Sequence, residues 1–185
     1  MHSFHPSLPL NKIWGYDGQV PGPHINATYG KPIIVRFRNN LPTGAASFGS
    51  PDISIHLHNG HTGSESDGFA GNFFSPGTYR DNHYPHMLAG GDPNEAMGSL
   101  WFHDHRVDFT AANTYKGMVG CFHLFDAKDS GNETDTAPGA FRLPSGAYDV
   151  SLFLGDKQFD ANGALIFSQT DTNGFIGDRF TVNGV

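Results

Sequence analysis

Two short stretches constrain this chain more than any other. They are His56-Leu-His58, within Ile53-Ser-Ile-His-Leu-His-Asn-Gly, and His103-Asp-His105, within Ser99-Leu-Trp-Phe-His-Asp-His-Arg-Val-Asp-Phe. Both lie in apolar runs that read as buried strands. Successive side chains in a strand point to opposite faces, so residues i and i+2 share one face. Each pair therefore aims two imidazoles at one place, and two facing pairs can hold four nitrogens around a metal. The plainer alternative is a set of strand histidines satisfied by local hydrogen bonds. Two such pairs in one chain argue against it, because polar residues are rarely buried without a partner.

The rest of the composition agrees with a chain built from strands. With 24 Gly, 12 Pro and 16 Phe, the sequence alternates short β-branched or aromatic segments with turn-forming clusters. That pattern points to an all-β sandwich or barrel. The net charge of −7, without a Lys/Arg cluster, argues against nucleic acid and against an anionic membrane surface as partners. No apolar run reaches the length of a membrane span. Cys121 is the only cysteine, so no disulfide can form within the chain. The start, Met1-His-Ser-Phe-His, lacks the basic and apolar regions of a signal peptide.

In chain order, Trp14-Gly-Tyr-Asp-Gly and Val20-Pro-Gly-Pro-His are turn chemistry around short extended pieces. Ile33, Val35 and Phe37 alternate with Ile34, Arg36 and Arg38, the period-2 pattern of a strand with one solvated face. Asp52 to His58 is the next expected strand. A long polar loop is then expected from Asn59 to Glu95, of the kind that is usually functional or mobile. Trp101 to His105 reads as a strand, Thr110 to Lys116 as a short helix, and Gly117 to Asp126 as a strong apolar strand. Asp126 to Gly139 reads as a linker. Tyr148 to Asp160, Leu165 to Phe167 and Arg179 to Gly184 read as extended pieces that do not close a sandwich of their own. The expected organisation is one domain over residues 1–138, and a linker with the start of a second over 139–185.

His56-Leu-His58 and Trp101-Phe-His-Asp-His105, in this order and separation, resemble the first cupredoxin domain of the multicopper oxidases. Gln19-Val-Pro-Gly-Pro-His, Arg38-Asn-Asn-Leu-Pro, Ser66-Asp-Gly-Phe, Tyr115-Lys-Gly-Met-Val-Gly, Leu143-Pro and Asp156-Lys-Gln-Phe-Asp are similar to further family segments. The resemblance covers nearly the whole chain and is nearest the branch with spore-coat laccase, bilirubin oxidase and phenoxazinone synthase. It implies a cupredoxin-like Greek-key β-sandwich followed by the first strands of a second cupredoxin domain. It also implies a laccase-like oxidoreductase that couples one-electron oxidation of a small reducing substrate to the reduction of O2 to water. By the same resemblance, His56 binds the type 2 copper, His58 and His103 one type 3 copper, and His105 the other. Imidazole suits copper in both working oxidation states. Trp101, Phe102 and Leu57 are expected to bury these ligands. Asp67 is similar to the acidic residue that relays protons to reduced oxygen. Its local chemistry fits a turn Asp before Gly equally well.

The chain departs from the family pattern in two respects. It carries no second set of paired histidines, and it lacks the His-Cys-His arrangement of the type 1 site. Cys121-Phe-His123 is only superficially half of it, and Cys121 reads as a small core residue. The type 1 copper and the remaining ligands are therefore expected in C-terminal cupredoxin domains, in the same or another chain. The other reading is a non-catalytic module holding copper or zinc on the same four histidines. Family resemblance favours a secreted, periplasmic or spore- and cell-surface location.

The other candidates carry less. Asp104 must point away from its flanking histidines, as a structural hydrogen-bonder. His61 reads as a solvated turn residue, while His83 and His86 read as hydrogen-bonding locally or facing solvent. His2, His5, His24 and His123 carry no functional expectation. Asn26-Ala-Thr and Asn132-Glu-Thr fit the N-glycosylation pattern.

Overall fold

The computed structural model describes residues 1–44, 47–168, 170 and 174–185. Its centre is a four-stranded sheet. The strands are β1 (Gly22–Thr28), β3 (Ile55–His58), β5 (Ser99–Asp104) and β6 (Val119–Phe125), in the order β1-β6-β5-β3. β1 runs parallel to β6, and the other neighbours are antiparallel. A second sheet pairs β2 (Ile33–Arg38) with β4 (Tyr79–Tyr84), antiparallel. The single α-helix among the described residues, α1 (Thr110–Tyr115), lies between β5 and β6.

Alternation sets the two faces of the main sheet. Ile55 and Leu57 on β3, Leu100 and Phe102 on β5, and Phe122 and Leu124 on β6 all point into one core. Across that core stand Tyr84 of β4 and the inward residues Ile33, Val35 and Phe37 of β2. The two sheets thus close a β-sandwich, and burying a side chain of this size contributes about 1.5–3 kcal/mol. β2 carries the alternation expected of it, with Ile34, Arg36 and Arg38 facing out.

One expectation needs correction. The stretch from Asn59 to Glu95 is not a single loop, because β4 lies within it. Its sequence, Tyr-Arg-Asp-Asn-His-Tyr, has almost no apolar period, so nothing local marks it as a strand. Long-range partners hold it instead. Arg36 grips Asp81 through two 2.7 Å hydrogen bonds across the β2–β4 pair, and Asn82 donates to the carbonyl of Ile55 in the facing sheet.

Beyond residue 138 the chain is extended and sparsely paired. β7 (Leu154–Lys157) and β8 (Arg179–Val182) form an isolated two-stranded ribbon. Around it Tyr148, Val150, Leu152, Leu154 and Phe180 are all exposed apolar side chains. An aromatic cluster ties this part to the N-terminal one, with Leu165 buried against Phe4 and Tyr115, and Phe159, Phe167 and Phe175 packed around them. Lys157 is drawn into the same contact. Its Nζ donates to the Tyr115 carbonyl at 2.9 Å and lies 4.2 Å from the centre of that ring.

Burial lowers the Lys157 pKa from 10.5 to about 8, and Lys116, over Trp14 and Phe48, is lowered to about 8 in the same way. Between these values the unfolded chain holds protons that the folded chain has released, so stability rises with pH across that window. We predict that the free energy of urea unfolding climbs by about 3–4 kcal/mol from pH 8 to pH 10. Lys157→Met should roughly halve that rise, with Lys116 supplying the rest. A mutant keeping the whole slope would exclude Lys157 as its source.

Candidate metal centre

The paired histidines sit on the outer face of the main sheet, opposite the core. β3 and β5 are antiparallel with His56 opposite His103 and His58 opposite Trp101. This register sets the two His-x-His pairs side by side. His105 lies one residue beyond the end of β5, where its backbone N–H donates to the Ser54 carbonyl at 2.6 Å.

The four rings form one cluster. Centroid separations are 5.5 Å for His56–His58 and His56–His103, 5.4 Å for His58–His103, 5.1 Å for His56–His105 and 5.6 Å for His103–His105. Ligand nitrogens of His56, His58 and His103 all lie within 4.8 Å of one another. His58 Nδ1 and His103 Nε2 are 3.2 Å apart, close to the spacing of about 3.3 Å that two nitrogens share on one ion with 2.0–2.1 Å bonds. His105 stands outside the group of three, so the four nitrogens do not close into one tetrahedral cage. Its Nδ1 is buried and has no partner among the described residues, which leaves a donor or acceptor for an ion or a further group to satisfy.

The chain orients two of the four rings, His56 and His103, through the nitrogen turned away from the cluster. His56 Nδ1–H donates to the Asp67 carbonyl at 2.6 Å, and His103 Nδ1–H to the Asp104 carbonyl at 2.7 Å. Both bonds fix the tautomer and leave Nε2 as a free lone pair. The Trp101 indole stacks on His103 with centroids 4.1 Å apart and on His58 at 4.9 Å, clamping both rings. Burial, partly opposed by the Asp104 carbonyl, lowers the His103 pKa to about 4, so it is neutral and able to ligate at neutral pH. Of the three residues expected to shield the site, only Trp101 shares its face. Leu57 and Phe102 alternate into the core beneath the sheet and support the strands instead.

Asp67 is placed by the turn that carries it. Its carboxylate Oδ1 is 3.4 Å from His56 Nδ1 and is partly exposed to solvent. The next residue, Gly68, has φ +77°, and a Cβ there would come 2.2 Å from the Ile55 carbonyl oxygen. Only glycine lets this turn lie flat against β3. The buried Ser66 hydroxyl accepts from the His83 N–H at 2.9 Å and fixes the other side.

Asp104 is fully buried and faces away from the histidines, as alternation requires. Its Oδ1 accepts from the Ser54 N–H at 2.8 Å, and its Oδ2 from Asn113 Nδ2 at 2.8 Å and the Arg106 N–H at 3.2 Å. Burial raises its pKa to about 6 while these donors pull it down, so it is ionised at neutral pH. Asn113 is equally buried and also holds the backbone of Ser50. It is a residue that sequence reasoning missed. Its signal was an amide inside a short helix, where Asn is disfavoured without a tertiary role.

The remaining histidines divide as their contexts implied. His61 lies 3.9 Å from Glu95, His83 is exposed on β4, and His86 is buried with Nδ1 on the Lys31 carbonyl. Cys121 departs from expectation. Alternation sends Phe122 and Leu124 into the core, so Cys121 and His123 stand half-buried on the outer face.

The site and the fold have known counterparts. The sequence model of the multicopper oxidases matches residues 3–129, and the chain belongs to that family. It is 35% identical over 185 residues to bilirubin oxidase of Albifimbria verrucaria, covering 99% of this chain and 28% of that protein. It is 29% identical to a laccase of Bacillus subtilis, over 99% of this chain and 39% of the relative. The fold matches a laccase from Pediococcus acidilactici with a TM-score of 0.73 at 22% identity, over 94% of this chain and 33% of that one. A multicopper oxidase from Pseudomonas thermotolerans gives 0.70 at 25%, over 99% and 38%. The sandwich is therefore of the cupredoxin type, and the metal of the family is copper. The chain spans about a third of the length of these relatives.

We predict that Asp104→Asn destabilises the fold by about 2–3 kcal/mol, because the new amide N–H2 must face one of three donors. Urea unfolding measures this. A loss under about 0.5 kcal/mol, the range of an ordinary surface change, would show that the network is dispensable.

Proposed function

We propose that this chain is the N-terminal part of a laccase-like enzyme that joins one-electron oxidations of a small reducing substrate to the reduction of O2. Four electrons and four protons convert each O2 to two waters. The observation that carries this reading is the convergence of His56, His58 and His103 nitrogens within 4.8 Å, with His105 beside them and outside a closed cage. An open, shared cluster fits reaction with O2 better than a storage site does.

In this reading His58 and His103, 3.2 Å apart, hold one copper of the type 3 pair, His105 the other, and His56 the type 2 ion. Bound copper supplies one-electron redox chemistry. The protein keeps the His103 ring neutral and clamps it, with that of His58, under Trp101. Asp67, partly exposed beside His56, is positioned to pass protons inward from solvent. The type 1 copper and the other cluster ligands belong to further cupredoxin domains in the same or another chain. The first domain spans residues 1–138, and residues 139–185 open the second. The unpaired β7–β8 ribbon and the exposed apolar residues around it support that division. No helix among the described residues is long and apolar enough to cross a membrane. A secreted, periplasmic or cell-surface location follows from this reading and is testable by fractionation.

The test is made in the full-length protein. His103→Ala or His105→Ala should remove the type 3 copper signal and reduce oxygen consumption to background, with the fold retained by circular dichroism. Asp67→Asn should retain copper while slowing oxygen reduction about 100-fold, the usual scale for a lost proton-transfer group. Undiminished oxygen uptake in either histidine variant would refute the assignment.

A further inference from the structure

Two tripeptides fit the N-glycosylation pattern, and the fold places them in different settings. Asn132-Glu-Thr134 lies in the connector between β6 and β7, and Asn26-Ala-Thr28 lies within β1. Exposure alone does not separate them, since both asparagines are exposed. Backbone shape does. The connector reverses direction at Asn132, where the Asp135 N–H donates to the Asn132 carbonyl at 3.1 Å. Within this turn the side-chain oxygen Oδ1 of Asn132 accepts from the Thr134 N–H at 3.0 Å and from the Thr134 hydroxyl at 2.8 Å. This is an Asx turn, which forms locally and needs no partner elsewhere in the chain. Neighbouring bonds brace it. The Glu133 N–H donates to Ser145 Oγ at 3.2 Å, its carboxylate accepts from the Ser145 N–H at 3.1 Å, and Arg142 Nε donates to the Asp135 carbonyl at 2.8 Å.

Asn26 has none of this. β1 is extended, so the Asn26 and Thr28 side chains stand about 6–7 Å apart along the strand. Asn26 is also opposite His123 of β6, on the part of the sheet that the segment after the linker crosses. There Ser151 Oγ lies 3.4 Å from His24 Nδ1 and 3.3 Å from His123 Nε2. A bulky glycan on Asn26 would contend with that segment for the same face. We propose that Asn132, and not Asn26, accepts an N-linked oligosaccharide when this protein passes through a eukaryotic secretory pathway. The bond formed joins Asn132 Nδ2 to the anomeric carbon of the sugar. The amide gives up one proton, and the lipid pyrophosphate that carried the sugar is the leaving group. The inference rests on the secreted location proposed above and not on the copper chemistry.

The full-length protein is to be secreted from yeast behind a yeast leader, which imposes passage through the pathway whatever the native location. Glycosidase release in heavy-oxygen water converts each glycosylated asparagine to a labelled aspartate. Trypsin then yields one fragment from Asp129 to Arg142, with Asn132 as its sole asparagine, and another from Ile13 to Arg36, with Asn26 as its own. The expected result is label in the first fragment and none in the second. Thr134→Val should abolish the label at Asn132 and Thr134→Ser should keep it, because either hydroxyl satisfies the pattern. A secreted parent unlabelled at Asn132 would overturn the acceptor and leave the native location to be decided by fractionation. Label at Asn26, or label at Asn132 that survives Thr134→Val, would overturn it as well.

Discussion

The Asp104 carboxylate is the interaction on which the rest of this structure depends. It lies fully buried, between His103 and His105 in sequence, with its three donors drawn from the residue before β3, the turn after β5 and helix α1. A buried carboxylate costs several kcal/mol unless its lone pairs are filled. Here all three donors come from segments that must themselves be ordered. Satisfying this one charge fixes the ends of β3 and β5 against each other. That in turn fixes where His56, His58, His103 and His105 can point.

The same logic is repeated around the cluster on a smaller scale. Each oriented ring is held by a backbone carbonyl rather than by another side chain: Asp67 O for His56 and Asp104 O for His103. Backbone acceptors have no rotamers to lose, so the rings are preorganised at little entropic cost. Trp101 adds a flat apolar wall over His58 and His103. Gly68 lets the Asp67 turn lie against β3 where any Cβ would collide. The metal-binding face is therefore built from strand register and one tight turn, and the core on the opposite face supplies the rigidity.

Much of this was legible from residues alone. The period-2 alternation of Ile33 to Arg38 and the apolar runs around both His-x-His pairs are local signals, and the strands formed where those signals stood. Helix α1 formed within the expected Thr110 to Lys116. Strand β4 was not legible, because its stability comes from Arg36, Asn82 and the buried Tyr84 meeting partners far away in sequence. Leu57 and Phe102 adjoin the histidines in sequence, yet alternation sends them to the opposite face. Cys121 is flanked by apolar residues for the same reason, since those neighbours belong to the face it does not share.

The sequence by itself determined that two pairs of imidazoles would each point one way, because side-chain direction along a strand is a property of the backbone. It also determined the charge, the single thiol and the β-rich architecture. Only the tertiary structure decided that the two pairs face each other, that three nitrogens converge while a fourth stands apart, and that His24 meets His123 across nearly a hundred residues. Those facts rest on strand order and register. They are set by how the whole core packs and how buried polar groups such as Asp104 find their donors, and no local window of sequence contains them.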